Sequence, residues 1–367
     1  FNNTTGNYNV GLGAYNLEFN TIGSCNVGIG YQSLNKNTTA SYNVAIGYQA
    51  SACNTTGEFN VAVGFSALCL NTIGCQNVAI GYEAMTLNTT GSFNTAVGRQ
   101  ALRNNTTGQY NVAIGYSTLR PNTTGQYNVA IGYQSLTNNI TGMRNTAVGY
   151  QALASNKAND NVAVGINTLY SNTTGFSNVA VGYSTLYANT TGSYNVALGQ
   201  QSLGANTTGQ FNVGVGYHAL RCNTVGQFNV GVGYHALKAN TTASYNVGVG
   251  YQALEDNTTG EFNVAIGYGA LRENTVGKEN TALGYYALRK TTTGIQNVAI
   301  GKQAMVNNLT GKSNVAIGKD AMTNAVSANQ NVAIGSAALY ANANGHNNVA
   351  VGTGTLAFNT TGQKNIA

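Results

Sequence analysis

Histidine, cysteine and carboxylate side chains build most enzymatic sites, and in this chain they are few and dispersed. The three histidines are His218, His235 and His346. His218 and His235 stand 17 residues apart, a spacing at which a layered repeat brings two imidazoles to about 5 Å. A metal pair is one reading of that juxtaposition. No Asp or Cys at a matching position completes a ligand set, so ordinary surface histidines are the simpler expectation, and no metal or cofactor is expected. Five cysteines stand at Cys25, Cys53, Cys69, Cys75 and Cys222. An odd, uneven set is not a disulfide framework, although Cys53 and Cys69 fall on neighbouring layers where one bridge could form. After Asn212, Val213 and Val215 alternate with Gly214 and Gly216, which is strand patterning without the spacing or the Lys of a phosphate loop. The 16 basic and 10 acidic residues among 367 form no Lys/Arg run suited to nucleic acid. The turns hold almost no carboxylate for calcium. An active site needs unlike groups converging on one place, and none is visible, so the chain is read as non-enzymatic.

The sequence offers instead a repeat. With Asn43 as position zero, Asn43-Val44-Ala45-Ile46-Gly47-Tyr48 returns as Asn60-Val61-Ala62-Val63-Gly64-Phe65, a period of 17. The unit reads N-V-A-I-G-Y-x-A-L-x-x-N-T-T-G-x-(Y/F). Its zero-position Asn recurs 22 times without a miss, from Asn9 to Asn365, Asn60 and Asn111 among them. The one spacing of 16 lies between Asn145 and Asn161, where Asn156-Lys157-Ala158-Asn159-Asp160 replaces the N-T-T-G corner. A deletion confined to a corner implies strands that tolerate no slip. Position four is Gly in all 21 copies long enough to show it, as at Gly47, Gly64 and Gly115. Position eight is Leu or Met in 20 of those 21, as at Leu68 and Leu119, with Ser51 the exception.

These columns predict a fold. N-V-A-I alternates with period two and is rich in β-branched residues, so it reads as a strand. Val44 and Ile46 share one face, Asn43 and Ala45 the other, and the Val, Ile and Leu columns are expected to form a thin core. The position-four Gly can take positive φ or admit a neighbouring backbone. In N-T-T-G, Asn bonds back to its own backbone and Gly supplies a left-handed residue. Gly interrupts most units twice, leaving no room for a helix. The fold class is therefore all-β: a parallel β-solenoid, or β-roll, of 17-residue coils. Residues 1–367 read as one continuous solenoid of about 21 coils, stacked at about 4.8 Å into a rod on the order of 100 Å long. Stacked Asn columns form amide ladders. The chain opens and stops within a repeat, as a portion of a longer protein would.

Two aromatic columns complete the pattern. Position five holds Tyr48, Phe65, Tyr116, Tyr133, Tyr217 and Tyr234, and the residue before the anchor Asn is often Tyr or Phe, as at Tyr42, Phe59 and Tyr110. Pointing outward they would leave a long apolar stripe, which monomers seldom expose. Self-association is the simplest resolution, with a parallel homotrimer preferred. Over residues 297–367 the fold is expected to continue with these columns lost: position five becomes Lys302, Lys319, Ser336 and Thr353.

Asn111 to Leu119 and Asn145 to Leu153 resemble the repeated motifs of trimeric autotransporter adhesin heads, and the N-T-A-V-G-Y-x-A-L arrays of bacterial surface and phage tail-fibre-like proteins. The resemblance covers the whole chain. It implies a left-handed β-roll, three chains side by side, and an extracellular or cell-surface adhesive fibre, or a virion fibre, that touches host-surface glycans or proteins. The coil here is longer than the adhesin coil by the N-T-T-G-like corner, and neck, stalk and membrane anchor are missing from the sequence.

Other readings of the columns are weaker. N-T-T at Asn37, Asn54, Asn88 and Asn105 is a glycosylation pattern, but glycans about 5 Å apart would crowd, and turn chemistry explains it. Thr38 and Thr39 are adjacent and face opposite ways, so only one Thr rank would meet ice. Aromatic rings with flanking amides would suit carbohydrate. No apolar run is long enough to span a membrane.

Overall fold

Alternation closed by glycine is enough to define one short strand per period, and the structure, a computed structural model describing residues 2–367, has one in each. There are 21 strands of three residues and no helix among the described residues. The fold is all-β, a parallel β-solenoid. The chain forms two compact units, Phe1–Asn178 and Val179–Ala367.

The first unit holds β1 (Val10–Leu12) through β10 (Val162–Val164). Adjacent strands pair in parallel and in strict register: Val44 opposes Val61, Ala45 opposes Ala62, Ile46 opposes Val63. Across the shortened corner the register survives, with Thr146 opposite Val162 and Val148 opposite Val164. The missing residue is absorbed wholly in the turn, because a one-residue slip in a strand would turn every side chain to the wrong side. The second unit holds β11 (Val179–Val181) through β21 (Val349–Val351) in the same register, as in Val213 opposite Val230. Its last coils add isolated parallel bridges at position fifteen, Ile295 to Lys312, Lys312 to Asn329 and Asn329 to His346.

Three-residue strands suffice because the turns are laddered as well. Gln49 N donates to Tyr31 O at 2.9 Å, Leu68 N to Ala84 O at 3.0 Å and Thr55 N to Thr72 O at 2.9 Å. Backbone groups on every side of the coil thus find partners one period away.

The core differs from the expected one. Ala45, Ala50, Leu68 and Leu119 are fully buried, and so are the Asn columns, but Val44 is only half-buried and Ile46 is exposed. The Val and Ile columns therefore face outward, a correction to the expectation that they line the core with Leu. The interior of so small a coil is filled by one Leu, two small residues and two amides. The amides can be inside because each has hydrogen-bond partners there.

The corners also divide their roles differently. Gly47 has φ of 133° and Gly115 of 130°, as position four requires. The turn glycine of N-T-T-G, such as Gly57, is not left-handed, contrary to expectation. It is small because a Cβ there would lie 2.3 Å from the Gly74 carbonyl oxygen. The left-handed residues sit at positions six, eight and sixteen, as in Gln49 (φ 53°), Leu68 (φ 53°) and Phe59 (φ 58°). Each non-glycine residue held there costs about 1 kcal/mol or more, and the ladders on both sides hold it in place.

Candidate functional site

In a translationally regular molecule the candidate site is a set of columns. The innermost are two amide ladders. Asn60 N donates to Asn43 Oδ1 at 2.9 Å, Asn77 N donates to Asn60 Oδ1 at 3.0 Å, and Asn60 Nδ2 donates to Gly74 O at 2.9 Å. Asn111 repeats this with Asn94 Oδ1 at 3.0 Å and Gly125 O at 2.8 Å. In the second ladder, Asn54 Nδ2 donates to Asn37 Oδ1 at 3.0 Å and to Gly57 O at 2.8 Å. Gly57 O also accepts from Asn43 Nδ2 at 3.0 Å, so both ladders meet on one carbonyl per coil. Asn43, Asn60 and Asn111 are thus structural, as are Gly47, Gly64, Gly115, Leu68 and Leu119.

The second ladder decides the sequons. Asn37, Asn54, Asn88 and Asn105 are fully buried, and Nδ2, the atom a glycan would occupy, donates to Ala40, Gly57, Gly91 and Gly108 carbonyls at 2.8–3.0 Å. The folded coil has no place for sugar on them. Among the threonines, Thr38 Oγ1 donates to Thr55 O at 3.1 Å, while Thr39 is exposed. One rank is tied to the next coil and a single rank meets water.

The outer face is set by alternation. Tyr42, Val44, Ile46 and Tyr48 are alternate residues and all turn outward, Val44 half-buried and the others exposed. Tyr48, Phe65, Tyr116, Tyr133, Tyr217 and Tyr234 are each 39–45% exposed. Their rings stack at 5.1 Å and 5° for Tyr48 on Phe65, and 5.4 Å and 9° for Tyr217 on Tyr234. Tyr42 stacks on Phe59 and Tyr110 on Tyr127 at 1°. Arg99 fills a gap in the first stack, its guanidinium 5.5 and 5.7 Å from the Tyr82 and Tyr116 ring centres. Ring faces are largely spent on neighbouring rings, so edges meet the surroundings. That geometry disfavours sugar stacking, which needs a free face.

Titratable groups gather elsewhere, at positions six and nine. The His218 and His235 rings stack with centres 5.3 Å apart, at the separation expected. Glu255, 6% exposed, reaches His235 Nδ1 at 2.8 Å and Arg272 Nε at 3.0 Å. His218 Nδ1 is buried without a hydrogen-bond partner. Burial, then the charges of Arg221, His235 and Lys238, hold the His218 imidazole down to about 4. No group of three or more metal-ligating side chains occurs among the described residues. The Glu255 cluster was not foreseen; the matching period of Lys238, Glu255 and Arg272 was its only sequence signal. All five cysteines are free thiols.

No protein-family model matches the chain, and no curated protein matches it either.

Proposed function

We propose that the chain is a structural repeat protein whose apolar strand face is covered by further copies, three chains side by side, forming the shaft of an extracellular adhesive fibre. The observation that carries this reading is the outward set Tyr42, Val44, Ile46, Tyr48 and its equivalents, apolar on coil after coil and uncovered in a single chain. Apolar surface of that extent marks an interaction face in a soluble protein. The inner columns support a structural role from the other side: their amides are buried and mostly spent in holding coil to coil. Contact with host-surface proteins would then be weak per coil and strengthened by repetition. A virion tail-fibre shaft is the same physical object, and its partners would be chosen by other domains.

The test places charge on the face without touching the coil interior. Ile46, Ile80 and Ile114 are 37–38% exposed, and Ile46→Lys, Ile80→Lys and Ile114→Lys together set like charges along it. In analytical ultracentrifugation the parent chain should sediment as a trimer, and the triple variant should assemble roughly tenfold less tightly or worse with an unchanged circular dichroism spectrum. A parent chain that stays monomeric at tens of micromolar refutes the proposal.

A further inference from the structure

Cys53 and Cys69 lie on adjacent coils of the first unit, and Cys53 N donates to Cys69 O at 2.9 Å. Both side chains are half-buried, so they are sheltered yet reachable. That backbone hydrogen bond joins the two residues directly across neighbouring turns, and a disulfide needs Cα atoms roughly 4.4–6.8 Å apart. From this juxtaposition we infer that Cys53 and Cys69 are a reversible covalent staple between successive coils, closed by oxidation to an intramolecular disulfide.

The local chemistry prepares the reaction. The Cys69 thiol beside it, against the opposing effect of burial and with help from the Lys36 charge, pulls Cys53 down to about 6. The neighbouring Cys53 sulfur, and burial after that, push Cys69 upward. The result at neutral pH is a thiolate nucleophile against a protonated partner. With oxidised glutathione as the oxidant, Cys53 thiolate attacks one glutathione sulfur and expels glutathione thiolate, leaving a mixed disulfide on Cys53. Cys69 then loses its proton and attacks the Cys53 sulfur, expelling the second glutathione thiolate. The products are one protein disulfide and two glutathiones, which take up the two protons the cysteines released.

The other three cysteines are internal controls. Cys25, Cys75 and Cys222 have no cysteine at the same or an adjacent position on a neighbouring coil, and their columns accept other residues freely. The staple also sits where variants should fold, because the equivalents of Cys53 and Cys69 include Lys36, Leu70, Ala52 and Thr86.

The experiment incubates the full chain with a graded ratio of oxidised to reduced glutathione and counts thiols under denaturing conditions. The count should fall from five to three, with peptide mapping joining Cys53 to Cys69, and the oxidised chain should melt higher than the reduced one. Cys53→Ser and Cys69→Ser should each abolish the melting shift while leaving the reduced melting point near that of the parent. A count that stays at five under oxidising ratios, a bridge mapped to any other pair, or a melting shift that survives Cys53→Ser overturns the inference. The test is independent of the self-association proposal, because a staple within one chain forms in monomer and trimer alike.

Discussion

An ideal Cβ on Gly47 would lie 2.5 Å from the Gly64 carbonyl oxygen, and one on Gly57 would lie 2.3 Å from that of Gly74. Contact alone therefore ranks the two positions equally. The chain itself separates them: Ala40, Ala243 and Ala328 occupy the position of Gly57 and are buried, so the corner yields enough for a methyl group. No copy replaces Gly47, where φ of 133° adds a backbone conformation that side chains resist. Gly57→Ala should lower stability by about 1 kcal/mol or less and Gly47→Ala by about 3 kcal/mol, measured by urea denaturation and by hydrogen exchange of the flanking amides. A second residue-scale effect belongs to His218. Its folded value near 4 lies below the ordinary 6.5, so between those limits the unfolded chain binds more protons than the folded one. Stability then rises with pH across that window and falls as acid is added. His218→Gln, matching Gln201 and Gln252 in the same column, should flatten the decline in melting temperature between pH 7 and pH 5. At this scale the strict glycine was legible from its invariance between copies. The left-handed Gln49, Leu68 and Phe59 were not, because nothing in a Gln, Leu or Phe side chain signals positive φ.

The strand and its amide ladder form the next scale. In Asn60→Ala, the Asn77 backbone N–H loses its acceptor while Gly74 O keeps Asn71 Nδ2 at 2.9 Å. The damage is therefore mainly one buried, unsatisfied donor, worth about 1–3 kcal/mol. It should appear as a lower urea midpoint together with faster exchange at the Asn77 amide than at amides two coils away. The period, the strands and both Asn columns are legible in the sequence, since the anchor Asn alone recurs 22 times. Which face of the strand is inside could not. Alternation groups Val44 with Ile46 and Asn43 with Ala45 but is silent on direction, and hydrophobicity favours the wrong answer. Asn goes inward because its stacked copies satisfy one another, and Ile goes outward because Leu has already filled the narrow interior.

For the molecule as a whole, regularity and its interruptions carry different information. The regular columns are structural, and the candidate surface is the apolar face they leave outside. That surface was partly legible: the aromatic columns were visible, while the Val and Ile that lie between them were assigned to the core. Of the interruptions, Cys53 and Cys69 were legible as thiols on neighbouring coils, and the Glu255 cluster only as positions. The Cys53–Cys69 backbone contact and the His235–Glu255 pair join residues at unlike positions on adjacent coils, and spacing alone does not say which offsets touch. In the second unit the aromatic columns end near Tyr285, where Lys302 Nζ lies 5.9 Å from the Tyr285 ring centre, and the position-fifteen bridges begin at Ile295. Loss of one ladder thus coincides with gain of another.

Because each coil donates to and accepts from an equivalent residue one period away, the junction made by removing a whole period is the same junction that was there before. A chain shortened or lengthened by whole periods of 17 residues keeps a satisfied backbone. The number of coils, and with it the number of apolar rungs on the outer face, can therefore change without creating a junction the fold does not already contain.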